Sequence, residues 1–264
     1  MLKISVPTQE SIGKRFIAAL DVSDTEVALR VAKGLYGHVG CFKLGLEFIY
    51  TMLGAFLEGT ARERSHIHAL FELFDGNYFL DSKLKDIPNT MKGAMKAIGR
   101  LSPRFVTVYA DAGREGIRAA VNERGETDII GVTVLTSFNE RGCKEVYESA
   151  SKKKDIIGYK VLQFADMLVD CGAQGVVCSP KELPLLRHEK FDDLIRVVPG
   201  TRPSWASSND QKRVMTPAEA LRDGADYLVI GRPITQPPDN MTPYEAVKRL
   251  IEETQEGMAE ILSP

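Results

Sequence analysis

Apolar residues recur along the chain in eight short runs: FIAALD (16–21), CFKLG (41–45), NYFLDSK (77–83), FVTVYA (105–110), IIGVTVL (129–135), GAQGVVCS (172–179), IRVVPG (195–200) and YLVIGR (227–232). Each is nearly continuous rather than alternating, which predicts parallel strands covered on both faces. Helical patterns lie between them. SDTE (23–26) reads as a capping box ahead of Val27, Val31 and Leu35 at helical spacing. TPAEALRDG (216–224) and TPYEAVKRL (242–250) each offer Thr as N-cap, Pro at the first helical position and Glu at the third. Gly224 suits a C-terminal cap before the last strand. Eight strand–helix units predict one (β/α)₈ TIM-barrel domain over residues 1–264, with its barrel core at about 16–251. A doubly wound open sheet is the alternative, weakened because neither G-x-G-x-x-G nor a P-loop follows any run.

Composition narrows the class without naming a function. An apolar content of 44% and a charged content of 27% are those of an ordinary globular protein, and a formal charge of −2 predicts no general attraction to nucleic acid or anionic membrane. An anionic ligand then needs a local basic site. The N-terminal stretch lacks the apolar core of a signal peptide and no apolar run reaches membrane-spanning length, so a cytoplasmic protein is expected. Cys41, Cys143, Cys171 and Cys178 form no C-x-x-C pair or zinc spacing, and are expected as reduced, buried small hydrophobes.

Chemistry in such a barrel sits at the C-terminal ends of the strands. Those ends carry Asp21, Lys43, then Asp81 and Lys83 from FLDSKLKDIPNT, then Thr136, then PGTRP (199–203) and GRP (231–233). A single Asp at a strand end serves as readily to cap a helix. Four charges of alternating sign in one barrel mouth need a further reason, because buried ion networks often cost more in desolvation than they return. Strand periodicity puts Asp81 and Lys83 on one face and Ser82 on the other, with Asp86 on the following loop. Lys85 is assigned to solvent or an interface. Gly231 and Arg232 suit a phosphate site, Gly for close approach and Arg as a planar donor. The polar segment SWASSNDQKR (204–213) fits a lid over a ligand or an ordinary surface loop, and Trp205 either closes over the ligand or packs on the rim.

Taken together these residues resemble orotidine 5′-phosphate decarboxylases. DSKLKDIPNT fits that family's D-x-K-x-x-D-I-P-x-T signature, surrounded by AALDVSD, FKLG, VLTS, PGTRP with Gln211 nine residues beyond Arg202, and VIGRPIT. Two positions depart from the pattern: Lys85 and Tyr109 stand where many relatives carry His. The segment ARERSHIHALFELFDGN before the third strand is long, which suggests a local helical elaboration.

The resemblance implies loss of CO₂ from orotidine 5′-monophosphate to give uridine 5′-monophosphate, with no metal and no organic cofactor. It implies a homodimer with shared sites, in which Lys43, Asp81, Lys83 and the Asp86 of the other subunit form an alternating charge array and Thr90 also reaches across. Lys83 would stabilise and protonate the ring carbanion. Asp21 would hold ribose together with Lys43, Thr136 would sit near ribose or base, and Arg202, Gln211, Gly231 and Arg232 would hold the phosphate end. A Mg²⁺-dependent sugar-phosphate lyase or synthase, a Schiff-base aldolase and a catalytically dead nucleotide-binding barrel are the alternatives. HIH (66–68) looks like a metal pair, but residues two apart on a helix face different ways. SKKKD (151–155) reads as a solvated helix start.

Overall fold

A computed structural model describes residues 6–147, 155–206, 215–238 and 240–262. All eight predicted runs form strands: β1 (Phe16–Ala19), β2 (Cys41–Leu44), β3 (Tyr78–Leu84), β4 (Phe105–Tyr109), β5 (Asp128–Val132), β6 (Gly175–Val177), β7 (Ile195–Pro199) and β8 (Tyr227–Ile230). They close in sequence order into a parallel barrel, so the open doubly wound sheet is excluded. The near-continuous apolar pattern has its cause here: β1 and β2 are buried at every position.

The chain groups into two compact units, one of residues 1–82, 200–222 and 227–264, the other of residues 83–199 and 223–226. In the first unit β1 pairs with β2 and β8, with Ala19 opposite Lys43 and Ala18 opposite Ile230, and β2 pairs with β3. Its helices are α1 (Gln9–Gly13), α2 (Thr25–Leu35), α3 (Leu46–Leu57), α4 (Ala61–Phe74), α9 (Pro217–Arg222), α10 (Arg232–Thr235) and α11 (Pro243–Leu262). In the second, β4, β5, β6 and β7 pair in succession, and the helices are α5 (Pro88–Ile98), α6 (Gly113–Asn122), α7 (Glu140–Tyr147) and α8 (Ile156–Asp170).

The long segment before β3 is helical, as expected. Thr60 and Glu63 cap α4 reciprocally, and Asp75 (φ 47°) with Gly76 (φ 76°) ends it in the left-handed region. Phe74 of α4 stacks on Phe42 of β2 with ring centroids 5.0 Å apart. Thr216 with Glu219 and Thr242 with Glu245 cap α9 and α11 as the sequence predicts, and Gly224 has φ 104°. At α2 the cap is Asp24 rather than Ser23. The Asp24 carboxylate takes the Glu26 and Val27 N–H groups, while Ser23 donates to Glu47 on α3.

One expected helix is replaced. Between β6 and β7 the chain forms 3₁₀ turns at Pro180–Leu186 and Glu189–Phe191. Pro184 lies inside the first, where it has no N–H to donate and its ring blocks the preceding carbonyl, so an α-helix cannot pass through. All four cysteines are free and buried, as predicted. Among the described residues no helix is long and apolar enough to cross a membrane. SKKKD lies almost wholly outside the described residues.

Candidate active site

The first unit builds a chain of charge across three adjacent strands. Asp21 follows β1, Lys43 is the third residue of β2, and Asp81 lies in the second half of β3. The Lys43 ammonium donates to Asp21 Oδ1 at 2.9 Å and lies 3.4 Å from Asp81 Oδ2. Lys43 and Asp81 are buried, their side chains 10% and 11% exposed, whereas that of Asp21 is 49% exposed. One cation between two carboxylates, buried on one side and open on the other, leaves a net negative cluster facing outward through Asp21.

Gly45 makes this arrangement possible, and the sequence reading overlooked it. A Cβ there would fall on Asp21 Oδ1 and stand 2.8 Å from Lys43 Nζ. Its backbone (φ −81°, ψ 176°) is ordinary for any residue, so glycine is needed for space and not for conformation. The legible signal was a glycine two residues past a barrel-strand lysine, in FKLGLEF.

Lys83 is half-buried and stands at φ 54°, uncommon for a residue with a side chain. Simple in-and-out alternation along β3 therefore ends at Ser82, and the shared face for Asp81 and Lys83 does not follow from strand period alone. The left-handed turn is held from β4: the Lys83 N–H donates to Oγ1 of Thr107, a fully buried side chain, at 2.8 Å. Strain of this kind persists only where neighbours enforce it and gathers at functional sites. Asp86 is exposed on the next loop, its Oδ1 accepting the Ile87 N–H at 2.7 Å. Thr90 is exposed in the first turn of α5. Thr136 is exposed in a turn beyond β5, while buried Thr133 donates to the Val177 carbonyl at 2.9 Å.

At the expected phosphate end, Gly231 is the N-cap of α10 and Arg232 its exposed first residue. The Arg202 N–H donates to the Met215 carbonyl at 3.1 Å. Ser204 N–H donates to Glu253 at 2.7 Å and the Trp205 ring lies 5.0 Å from the Arg249 guanidinium, both on α11. Trp205 thus packs against a helix at the rim. Gln211 lies outside the described residues.

The HIH pair separates as helical spacing requires. His66 Nδ1 lies 3.1 Å from Thr25 Oγ1, and His68 meets Phe56 edge-on at 6.0 Å. Lys85, assigned from sequence to solvent or an interface, is exposed, its side chain 51% so, and also pairs with Asp111 at 2.7 Å.

The sequence profile described as "Orotidine 5′-phosphate decarboxylase / HUMPS family" matches residues 14–249. The chain is 41% identical to orotidine 5′-phosphate decarboxylase from Thermobifida fusca over 223 residues, covering 84% of this chain and 88% of that protein. It is 38% identical to the protein of the same name from Syntrophomonas wolfei, covering 92% and 98% respectively. Among solved structures it is similar to a conserved protein from Geobacillus kaustophilus (TM-score 0.69, 29% identity, covering 90% of this chain and 99% of that one). It is similar also to orotidine 5′-phosphate decarboxylase from Lactobacillus acidophilus (TM-score 0.68, 27% identity, covering 90% and 98%).

Proposed function

Because the chain belongs to the orotidine 5′-phosphate decarboxylase / HUMPS family, we propose that it converts orotidine 5′-monophosphate to uridine 5′-monophosphate and CO₂, the last step in making a pyrimidine nucleotide. The observation that carries this reading is Lys43 held between Asp21 and Asp81, immediately ahead of Lys83 on β3. In the proposed reaction the bond from the ring to the carboxylate carbon breaks, CO₂ departs, and the electron pair stays on the ring carbon. Lys83 places a positive charge beside that carbon and then gives it a proton. Preorganised charge of this sort is worth about 3 kcal/mol per group removed. Lysine fits because its ammonium is both a compact charge and a transferable proton, which arginine cannot release.

Asp81 acts here by keeping Lys83 charged and aimed, and Lys43 holds Asp81 in place. Asp21 and Lys43 would take ribose hydroxyls, and Thr136 would lie near ribose or base. Arg202, Gln211, Gly231 and Arg232 would take the phosphate, whose binding energy is spent away from the breaking bond to orient the base. The reaction as written asks nothing of a metal or organic cofactor. We infer a cytoplasmic homodimer in which Asp86 and Thr90 complete the site of the other subunit. The exposure of both residues supports this, as does α3, which exposes Leu46, Tyr50, Leu53 and Leu57 along one stripe.

The test is direct. Purified protein is mixed with orotidine 5′-monophosphate and excess EDTA, and the pyrimidine absorbance is followed. Turnover unaffected by chelator is expected. A Mg²⁺-dependent sugar-phosphate enzyme would leave this substrate untouched, and absence of turnover sinks the proposal. Lys83→Ala should remove detectable activity, whereas Arg232→Ala should raise KM about a hundredfold or more with a smaller effect on kcat.

A further inference from the structure

We propose that Lys85 is a positioning residue: by clamping onto the β4 end through Asp111 and Tyr109 it fixes the loop that carries Asp86. The inference rests on the decarboxylase reading for its kinetic meaning, but its geometry stands by itself. The Lys85 ammonium is 2.7 Å from Asp111 Oδ2 and lies over the Tyr109 ring, 6.0 Å from its centroid. Tyr109 ends β4 and Asp111 follows two residues later in a 3₁₀ turn. Lys85 on the loop and Tyr109 at the end of β4 therefore lie close to each other, with Asp111 taking the ammonium directly.

Three ties run from this loop to β4 and the elements after it. At Lys83 the backbone N–H is held by Thr107. At Lys85 the side chain is held by Asp111 and Tyr109. At Asp86 the carbonyl lies 3.6 Å from where a Cβ on Gly116 would stand, so α6 packs on it at ordinary van der Waals distance. The middle tie is the only side-chain grip of the three contributed by the loop itself, and it stands one residue from Asp86.

Asp111 has reason to hold on. Its side chain is 18% exposed, and among the described residues its Oδ1 is buried with no hydrogen-bond partner. The Lys85 ammonium is thus the partner that compensates this carboxylate. Losing it would leave a mostly buried charge with neither oxygen paired, and the turn carrying it would shift to reach water. The Asp86 loop would shift or loosen with it.

Lys85→Met in the full chain keeps the stem and removes the charge. We expect kcat to fall about ten- to a hundredfold, as a misplacement near 1 Å does, with KM changed by no more than about threefold. Lys85 is half-exposed but Asp111 is only 18% exposed, so the melting temperature should fall by several degrees while the chain stays folded at the assay temperature. Asp111→Asn should reproduce the loss, the Lys85→Met/Asp111→Asn double variant should be no worse than either single variant, and Lys85→Arg should restore most of the rate. Amide hydrogen exchange at Ile87 should speed up about tenfold in Lys85→Met while exchange in β4 stays unchanged. A parent without turnover sinks the decarboxylase reading alone, and the exchange measurement then decides the clamp. An unchanged kcat and unchanged Ile87 exchange in Lys85→Met overturn the positioning role, as do strictly additive losses in the double variant.

Discussion

At the scale of single residues, the candidate site depends on a missing side chain as much as on the charges around it. Asp21 is half-exposed and can swing aside, but Lys43 is buried and cannot. Gly45→Ala should therefore break the 2.9 Å contact by moving Asp21, not Lys43. We expect kcat/KM to fall about tenfold, with little loss of stability. Gly54→Ala is the control, since a Cβ there meets nothing within 4 Å and should be silent or slightly stabilising. Equal effects from the two variants would remove the steric explanation. The charged residues themselves were legible because Asp and Lys at barrel-strand ends are out of place among apolar neighbours. Thr107 and Asp111 were not, because each matters only through a contact with a residue distant in sequence. The grip of Lys85 on Asp111 spans 26 positions, and its sequence surroundings, polar and next to a turn, are those of a solvated lysine.

At the scale of elements, hydrophobic runs and capping residues located the strands and most helices because both are local signals. The failure at 180–191 had a local sign too: two prolines in SPKELPLL. That 3₁₀ segment carries a consequence for stability. Glu182 is 8% exposed, its carboxylate accepts the Ser179 N–H at 2.7 Å, and burial, its largest influence, raises its pKa above the ordinary 4.5. A carboxyl whose folded pKa exceeds its unfolded one binds its proton more tightly when folded. Its contribution is thus full below the unfolded value and is lost as pH rises through the folded value. Glu182→Gln keeps an oxygen for Ser179 and carries no charge. It should melt above the parent at pH 8, with the gap closing as pH falls through the raised pKa of Glu182 and gone once pH is below 4.5. A parent that equals or exceeds the variant at pH 8 contradicts this. Cys178, fully buried beside Glu182, is pushed up in the same direction, mainly by burial and then by that carboxylate, so it stays a thiol.

At the scale of the whole molecule, the proposed sharing of sites between two copies has a direct readout. Lys83→Ala and Asp86→Ala should each be nearly inactive alone. Mixed one to one under conditions that allow subunits to exchange, they should recover up to about a quarter of parental activity, because half of the dimers then hold one intact site. No recovery from verified mixed dimers would place Asp86 in the site of its own chain. The sequence by itself determined the parallel barrel, the eight strand positions, the caps of α9 and α11 and the family, since all of these follow from local periodicity, local hydrogen bonding or ordered motifs. Only the tertiary structure decided the Asp21–Lys43–Asp81 pairing distances, the space reserved at Gly45, the left-handed turn at Lys83 and the partner of Lys85. These arise where strands far apart in the chain lie side by side, and the position of one side chain against another across that gap is set by packing that no local pattern encodes.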